Sequence, residues 1–138
     1  MVLLLVVSLS VKNGISSVVL LSDGVVVKSS VKRCNTSEHS IEQLIDTFKR
    51  SILEVKPFVE SGQTDKVIFE MNMRAVIKWI EESNPSKKFE KAFIEAMDML
   101  NKLAVEYELQ YVKVPLASKY KTVDSKLEVS GLDSLLEG

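Results

Sequence analysis

The sequence has little of what several common functional classes require. It contains one cysteine, one histidine and five glycines in 138 residues. The single cysteine, Cys34, excludes an internal disulfide and fits a reducing, cytoplasmic location. One cysteine and one histidine leave no paired ligands for zinc, and no glycine stands in a phosphate-binding motif. These absences argue against a disulfide-stapled domain, a zinc domain and a P-loop enzyme.

Charge is nearly balanced, and no long hydrophobic run is present. Lysine and arginine number 18 against 19 aspartate and glutamate, and the pI is about 5.9. This balance argues against strong nonspecific attraction to nucleic acid, although a local basic face is compatible with it. The apolar run at residues 1–9 is far shorter than the roughly 20 residues that cross a membrane. It also lacks a preceding positive charge and a cleavage site, so we expect a soluble protein that begins with a buried strand.

Three β-rich runs open the chain. Residues 2–9 form a continuous valine-rich run, which is typical of a central strand covered on both faces. Residues 15–21 and 25–31 are two further runs, and Asp23-Gly24 lies between them. Asp-Gly between apolar runs is a strong hairpin signal, because both residues tolerate positive φ. The pattern predicts three successive antiparallel strands.

Helical periodicity begins after the third run. Apolar residues spaced by three, four and seven predict a helix over residues 37–55, capped by Ser37 or Ser40 and ending before Pro57. The remaining elements, in chain order, are a strand over 67–70, a helix that stops before Asn84, a longer helix over 89–104 and a strand over 109–114.

This order predicts an α/β fold with a mixed five-stranded sheet. Three antiparallel strands precede two parallel ones, since a strand, a crossover helix and the next strand indicate a parallel connection, and helices are expected on both faces. Residues 1–138 are expected to form one domain, with a loosely held tail from about residue 125. Lysines and arginine along the third strand (Lys28, Lys32 and Arg33) discourage edge-to-edge pairing and favour a monomer.

The order is also that of type 1 ribonuclease H domains, and local segments resemble that family. Residues 67–76, VIFEMNMRAV, resemble the family's V-I-x-x-T-D-S strand end, with Trp79 near the position of the family's tryptophan. Residues 37–42, SEHSIE, resemble the helix start T-x-N-x-x-E. Tyr111-Val112-Lys113 resembles W-V-K, and Thr122-Val123-Asp124 resembles the segment that opens the last helix. The ordered set, which spans most of the chain, carries the resemblance.

The resemblance implies a metal centre built from carboxylates, and it also implies that this sequence lacks some of those carboxylates. In the family, four carboxylates hold two divalent metal ions that activate water for cleavage of RNA in RNA–DNA hybrids. Hydroxyl and amide groups replace carboxylates poorly as ligands of Mg²⁺, and no acidic residue precedes Asp23 in this sequence. The four positions fall, in chain order, on Ser8 (Ser10 if the register slips), Glu42, Asn72 and Asp124.

We therefore expect no resident cofactor, and Mg²⁺ or Mn²⁺ only if the acids Glu42, Glu70 and Asp124 form a site. Glu70 lies two residues before Asn72 on the same face of its strand, about 7 Å away. The family's histidine loop after the fifth strand is missing, because residues 114–121 contain no histidine. The only histidine, His39, falls where the family uses an asparagine against the minor groove of the hybrid.

Two lysine-bearing segments indicate nucleic-acid binding. Lys119-Tyr120-Lys121 places cations around a ring that could stack on a base. Lys87 and Lys88 start the third helix, near where some members of the family carry a basic handle for substrate, and lysines at a helix start oppose the helix dipole. A solvated charged surface is the plain alternative for both segments. For His39 the plain alternative is a capping or surface role, because no nucleophile motif accompanies it.

Three functions remain open at this level, since one fold hosts many functions. The first is a catalytically impaired ribonuclease H-like domain that binds an RNA–DNA hybrid, a structured nucleic acid or a protein. The second is a divergent, active, metal-dependent ribonuclease H. The third is a small accessory or inhibitor protein that binds another protein. The pattern leans toward no enzymatic activity, and it would suit a protein of a phage or mobile element.

Overall fold

The computed structural model describes residues 4–35, 37 and 39–123. A five-stranded sheet in the order β3-β2-β1-β4-β5 forms its centre. β1, β2 and β3 pair antiparallel, whereas β4 pairs parallel with both β1 and β5. The predicted mixed sheet is therefore confirmed. The strands are β1 (Leu5–Lys12), β2 (Ile15–Ser22), β3 (Val25–Arg33), β4 (Lys66–Met71) and β5 (Glu106–Tyr111).

Two tight turns join the antiparallel strands. Asn13 and Gly14 have φ values of 53° and 75°, and Asp23 and Gly24 have φ values of 51° and 80°. Positive φ at both central residues is what a two-residue type I′ hairpin turn requires, and its twist matches that of the strands. The hairpin predicted at Asp23-Gly24 is confirmed.

Three α-helices and two short 3₁₀ turns complete the described part. The helices are α1 (Ser40–Glu60), α2 (Arg74–Glu82) and α3 (Glu90–Leu103), and the 3₁₀ turns are Lys87–Phe89 and Leu116–Lys119. No helix in the described residues is long and apolar enough to cross a membrane.

The ends of α1 differ from the prediction. Its N-cap is His39, whose Nδ1 accepts a hydrogen bond of 3.1 Å from the backbone N–H of Ile41, so the predicted serine caps were wrong. The helix also continues through Pro57 instead of ending before it. The fixed φ of proline is compatible with a helix, and continuation packs Phe58 and Val59 against the core.

The bounds of strands β1 and β5 also differ from the prediction. β1 begins and ends about three residues later than predicted, and β5 begins and ends three residues earlier. β5 is an edge strand with alternating exposure, and its outward Glu106 and Glu108 both reach Lys66 Nζ at 3.6 Å. Because acids occupy its outward positions, the strand lacks the apolar run on which the prediction relied.

The core lies between one face of the sheet and the helices. Odd-numbered residues of β1, such as Leu5, Val7 and Leu9, pack there with side chains from all three α-helices. At its centre the rings of Phe48 (α1) and Phe69 (β4) meet edge to face, with centroids 5.0 Å apart. Even-numbered residues of β1 point to the opposite face, against which the 3₁₀ turn Leu116–Lys119 lies in the described part.

Candidate functional site

The topology gathers most of the predicted site residues at one end of the sheet. Four of the strands (β1, β3, β4 and β5) run in the same direction, so their carboxyl ends lie on the same side of the sheet. Asn72 immediately follows β4, and Glu42 lies in the first turn of α1, which starts shortly after β3. We call this side the carboxyl end of the sheet. Asp124 lies outside the described residues.

Ser8 is buried and structurally engaged. Its side chain is 0% exposed, and its Oγ accepts a hydrogen bond of 2.9 Å from the backbone N–H of Ala117. Ala117, in the second 3₁₀ turn, is also fully buried. In the β1–β4 pairing Ser8 lies opposite Glu70. The position implied for the first metal-binding carboxylate is therefore a hydroxyl covered by backbone.

If the first carboxylate position falls on Ser10 instead of Ser8, that position is also a buried hydroxyl. Continuing the β1–β4 pairing by two residues sets Ser10 opposite Asn72. Ser10 is 2% exposed, and with Ser17 and Tyr120 it lines a small cavity of about 60 Å³. Ser17 Oγ donates to the carbonyl oxygen of Tyr120 at 2.5 Å, which fixes the chain after the 3₁₀ turn over this face. Both serines thus lie under the same segment.

The acids implied as metal ligands do not form a cluster in the described part. Glu42 is half-buried at the start of α1, where a negative charge suits the helix dipole. Glu70 is half-buried on β4, and burial raises its pKa. Asn72 is exposed. Within residues 4–35, 37 and 39–123, no three histidine, cysteine, aspartate or glutamate side chains could hold a metal ion together. Of the three implied positions in the described part, only Glu42 carries a carboxylate, whereas Ser8 and Asn72 are neutral.

The structure brings one set of predicted nucleic-acid ligands together around Phe89. The ring of His39 lies 5.3 Å from that of Phe89, and Lys88 Nζ lies 5.5 Å from the same centroid. Trp79 stacks on Phe89 at 6.1 Å. Lys87, on the same 3₁₀ turn, is exposed. These contacts hold the lysines of the first 3₁₀ turn beside the start of α1.

The second set lies beside the turn between β1 and β2. Lys119 and Lys121 are exposed, while Tyr120 is half-buried. Tyr120 and Lys121 line the small cavity together with Lys12, the last residue of β1. Lys12 does not stand out in the sequence as a candidate binding residue. Its place before the Asn13-Gly14 turn was visible in the sequence, but its closeness to residue 121 depends on the fold.

A cation at the end of β4 was also missed. The Arg74 guanidinium lies 4.1 Å from the ring centroid of Tyr111, which ends β5, and both side chains are exposed. The carboxyl end therefore gathers cations, whereas Lys66 at the opposite end is paired with Glu106 and Glu108. We call the following six residues the basic end: Lys12, Arg74, Lys87, Lys88, Lys119 and Lys121.

Comparison with known proteins identifies the fold. No protein-family model and no curated protein matches the sequence. Among solved structures, RNase H1 from Halobacterium salinarum is similar with a TM-score of 0.63 and 13% identity, over 88% of this chain and 92% of that one. LC11-RNase H1 in complex with an RNA/DNA hybrid gives 0.61 and 9%, over 80% and 84%.

An N-terminal RNase H domain from Mycobacterium tuberculosis is similar over 96% of this chain and 99% of that one, with a TM-score of 0.60 and 10% identity. At such low identities the likeness concerns the arrangement of the backbone and does not extend to site residues. The five-stranded mixed sheet with its helices is a ribonuclease H-like fold.

Proposed function

We propose that this chain is a ribonuclease H-like domain that binds nucleic acid at its basic end and does not cleave it by two-metal chemistry. The observation that carries the proposal is the state of Ser8. It stands where the family needs a carboxylate, it is fully buried, and its hydroxyl is engaged by the backbone of a 3₁₀ turn.

The loss of cleavage follows from the ligands available. Mg²⁺ and Mn²⁺ prefer carboxylate oxygens, and the described part of β1 offers none. The third position, Asn72, is neutral. Glu70 lies opposite Ser8, but within the described residues it belongs to no group of three ligating side chains that could hold a metal ion. We therefore propose that no metal ion resides at this site in the working protein.

Binding follows from the distribution of charge. The cations of the basic end lie beside exposed or half-buried aromatic rings, Tyr111 and Tyr120 among them. Lysine and arginine neutralise backbone phosphates, and aromatic faces stack on bases. A protein of the same fold, LC11-RNase H1, has been solved with an RNA/DNA hybrid. A hybrid duplex is accordingly the first ligand to test.

The test measures binding and cleavage on the same hybrid. A labelled RNA–DNA hybrid should bind at low salt, and affinity should fall as salt rises, because bound cations displace counterions. The variant Lys119→Gln/Lys121→Gln should bind more weakly, with a salt slope smaller by up to about 2. The control is Lys66→Gln/Lys102→Gln. Lys66 lies at the opposite end of the sheet and pairs with Glu106 and Glu108, and Lys102 pairs with Asp98 in the last turns of α3. Neither Mg²⁺ nor Mn²⁺ should produce cleavage.

Each alternative has its own outcome in this experiment. Metal-dependent cleavage by the wild type that Glu42→Gln abolishes would establish the divergent nuclease instead. Equal hybrid affinity of the two double variants would contradict binding at the basic end. If neither hybrid nor structured RNA binds while a protein co-purifies stoichiometrically, the accessory-protein function replaces the proposal.

A further inference from the structure

A polar cavity of about 230 Å³ lies on the β3 side of α1, apart from the family's carboxylate positions. The end of β3 supplies Lys32 and Arg33, and the first half of α1 supplies Asp46, Thr47 and Arg50. Three of these side chains are cations and one is an acid, and Glu54 of α1 adds a second negative charge near Arg50 and Lys32. The cavity and its surroundings therefore keep a net positive charge in a protein whose overall charge is −1.

Arg50 forms a fixed positive wall of the cavity. Its guanidinium donates hydrogen bonds to the carbonyl oxygens of Ser16 and Ser30, at 3.0 and 3.1 Å. The side chain of this α1 residue is therefore fixed against β2 and β3. Below it, the hydroxyls of Thr47 and Ser16 share a hydrogen bond of 2.6 Å and are buried. A guanidinium held in advance loses little conformational freedom when it receives an anion.

Two further cations lie at the mouth of the cavity, and the volume of the cavity limits the size of the ligand. Lys32 and Arg33 are exposed at the mouth, opposite the exposed Asp46. Sites for drug-sized ligands occupy about 300–1,000 Å³, so a cavity of 230 Å³ suits a small group better than a whole nucleotide. Arginine is favoured where tetrahedral oxyanions are bound, because its planar fork matches their geometry.

We propose that this cavity binds a phosphate group through Arg33, Arg50 and Lys32. The phosphate belongs either to a free small anion or to a nucleic-acid backbone, and the same three cations serve both. The site does not rest on the hybrid binding proposed above, because inorganic phosphate alone probes it. Asp46 opposes the bound anion, so its removal should tighten binding.

The only cysteine of the chain gives a direct measurement. Cys34 is half-buried and lines this cavity, so alkylation of the protein by neutral iodoacetamide reports access to it. Inorganic phosphate should slow the alkylation several-fold in a saturable way, compared with sodium chloride at equal ionic strength and pH. Arg33→Gln should remove the protection. Asp46→Asn should lower the apparent Kd for phosphate about two- to fivefold, as expected for one partly exposed charge pair.

Controls separate the site from general effects. Each variant is compared with itself with and without phosphate, which cancels any change in intrinsic thiol reactivity. Lys78→Gln, on α2, should keep full protection, since this lysine pairs with Glu82 on the same helix. Thermal unfolding checks that Arg33→Gln remains folded, and this exposed position is chosen in preference to Arg50 for that reason.

The outcomes are distinct. Protection by phosphate alone assigns a free-anion site, and stronger protection by a hybrid duplex that also needs Arg33 assigns a backbone phosphate. Failure of the hybrid to bind anywhere would leave the phosphate result standing. Alkylation that phosphate slows no more than chloride does, or protection that survives in Arg33→Gln, would overturn the site.

Discussion

At the scale of single residues, Ser8 explains both what the sequence could predict and what it could not. The missing acid was predictable, because no aspartate or glutamate precedes Asp23. Burial of Ser8 agrees with the prediction of a central strand covered on both faces. The partner of its hydroxyl was not predictable, since Ala117 lies 109 residues away in sequence.

Replacing Ser8 tests whether this hydroxyl holds the 3₁₀ turn. Ser8→Ala leaves the buried N–H of Ala117 without its acceptor, so the free energy of unfolding should fall by about 1–3 kcal/mol. Urea denaturation measures the change. Ser29→Ala, at an exposed position of β3, is the matched control and should change stability by less than about 0.5 kcal/mol. Equal effects of the two substitutions would mean that the hydrogen bond contributes nothing.

At the scale of elements, the interior of each segment was predictable and its ends were not. Long periodic segments such as α1 and the β1–β2–β3 hairpins follow directly from the spacing of apolar residues. The end of α1 beyond Pro57 depends on tertiary burial of Phe58, and the shift of β5 depends on its pairing with β4. Such boundaries are decided by contacts that no local pattern contains.

The edge strand β3 is the element with the clearest liability. Its first three residues, Val25, Val26 and Val27, are 65%, 40% and 45% exposed, while Lys28 Nζ lies 3.9 Å from Glu54 of α1. Exposed apolar edges invite pairing between chains, and lysines on the edge oppose it. We expect a monomer, and we expect Lys28→Thr/Lys32→Thr to self-associate in sedimentation velocity with increasing concentration.

The control for this experiment replaces lysines away from the edge. Lys78→Thr/Lys102→Thr removes the same charge from α2 and α3 and should stay monomeric. A wild type that already dimerises would contradict the protective role of the edge lysines. So would equal behaviour of the two double variants.

At the scale of the whole molecule, an almost neutral chain carries an uneven charge distribution. Composition alone argued against strong nonspecific attraction to nucleic acid, because it averages Lys66 and its two acidic partners with the exposed Lys119 and Lys121. The parallel strands and the returning 3₁₀ turn decide which lysines share an end. Because that arrangement depends on the fold, the sequence could predict the separate lysine segments but not their position at one end of the sheet.

The acids of the folded molecule should also make its stability depend on pH in a defined sense. Burial raises the pKa of Glu70 above its ordinary value of 4.5, so between the pKa values of the unfolded and folded states the native protein binds more protons than the unfolded chain. The stability that Glu70 contributes is complete below pH 4.5 and is lost as pH rises through its folded pKa. Glu70→Gln should therefore gain stability relative to the wild type between acidic and neutral pH. Urea midpoints across that range measure it.

Glu95 provides a control of opposite sign. Its hydrogen bond of 2.9 Å from Lys49 lowers its pKa, so its contribution is present above pH 4.5 and is lost as pH falls. Glu95→Gln should lose stability relative to the wild type at neutral pH, and the effect should shrink in high salt because this pair is exposed. Parallel pH profiles for the wild type and Glu70→Gln would show that Glu70 is as well solvated in the folded protein as in the unfolded chain.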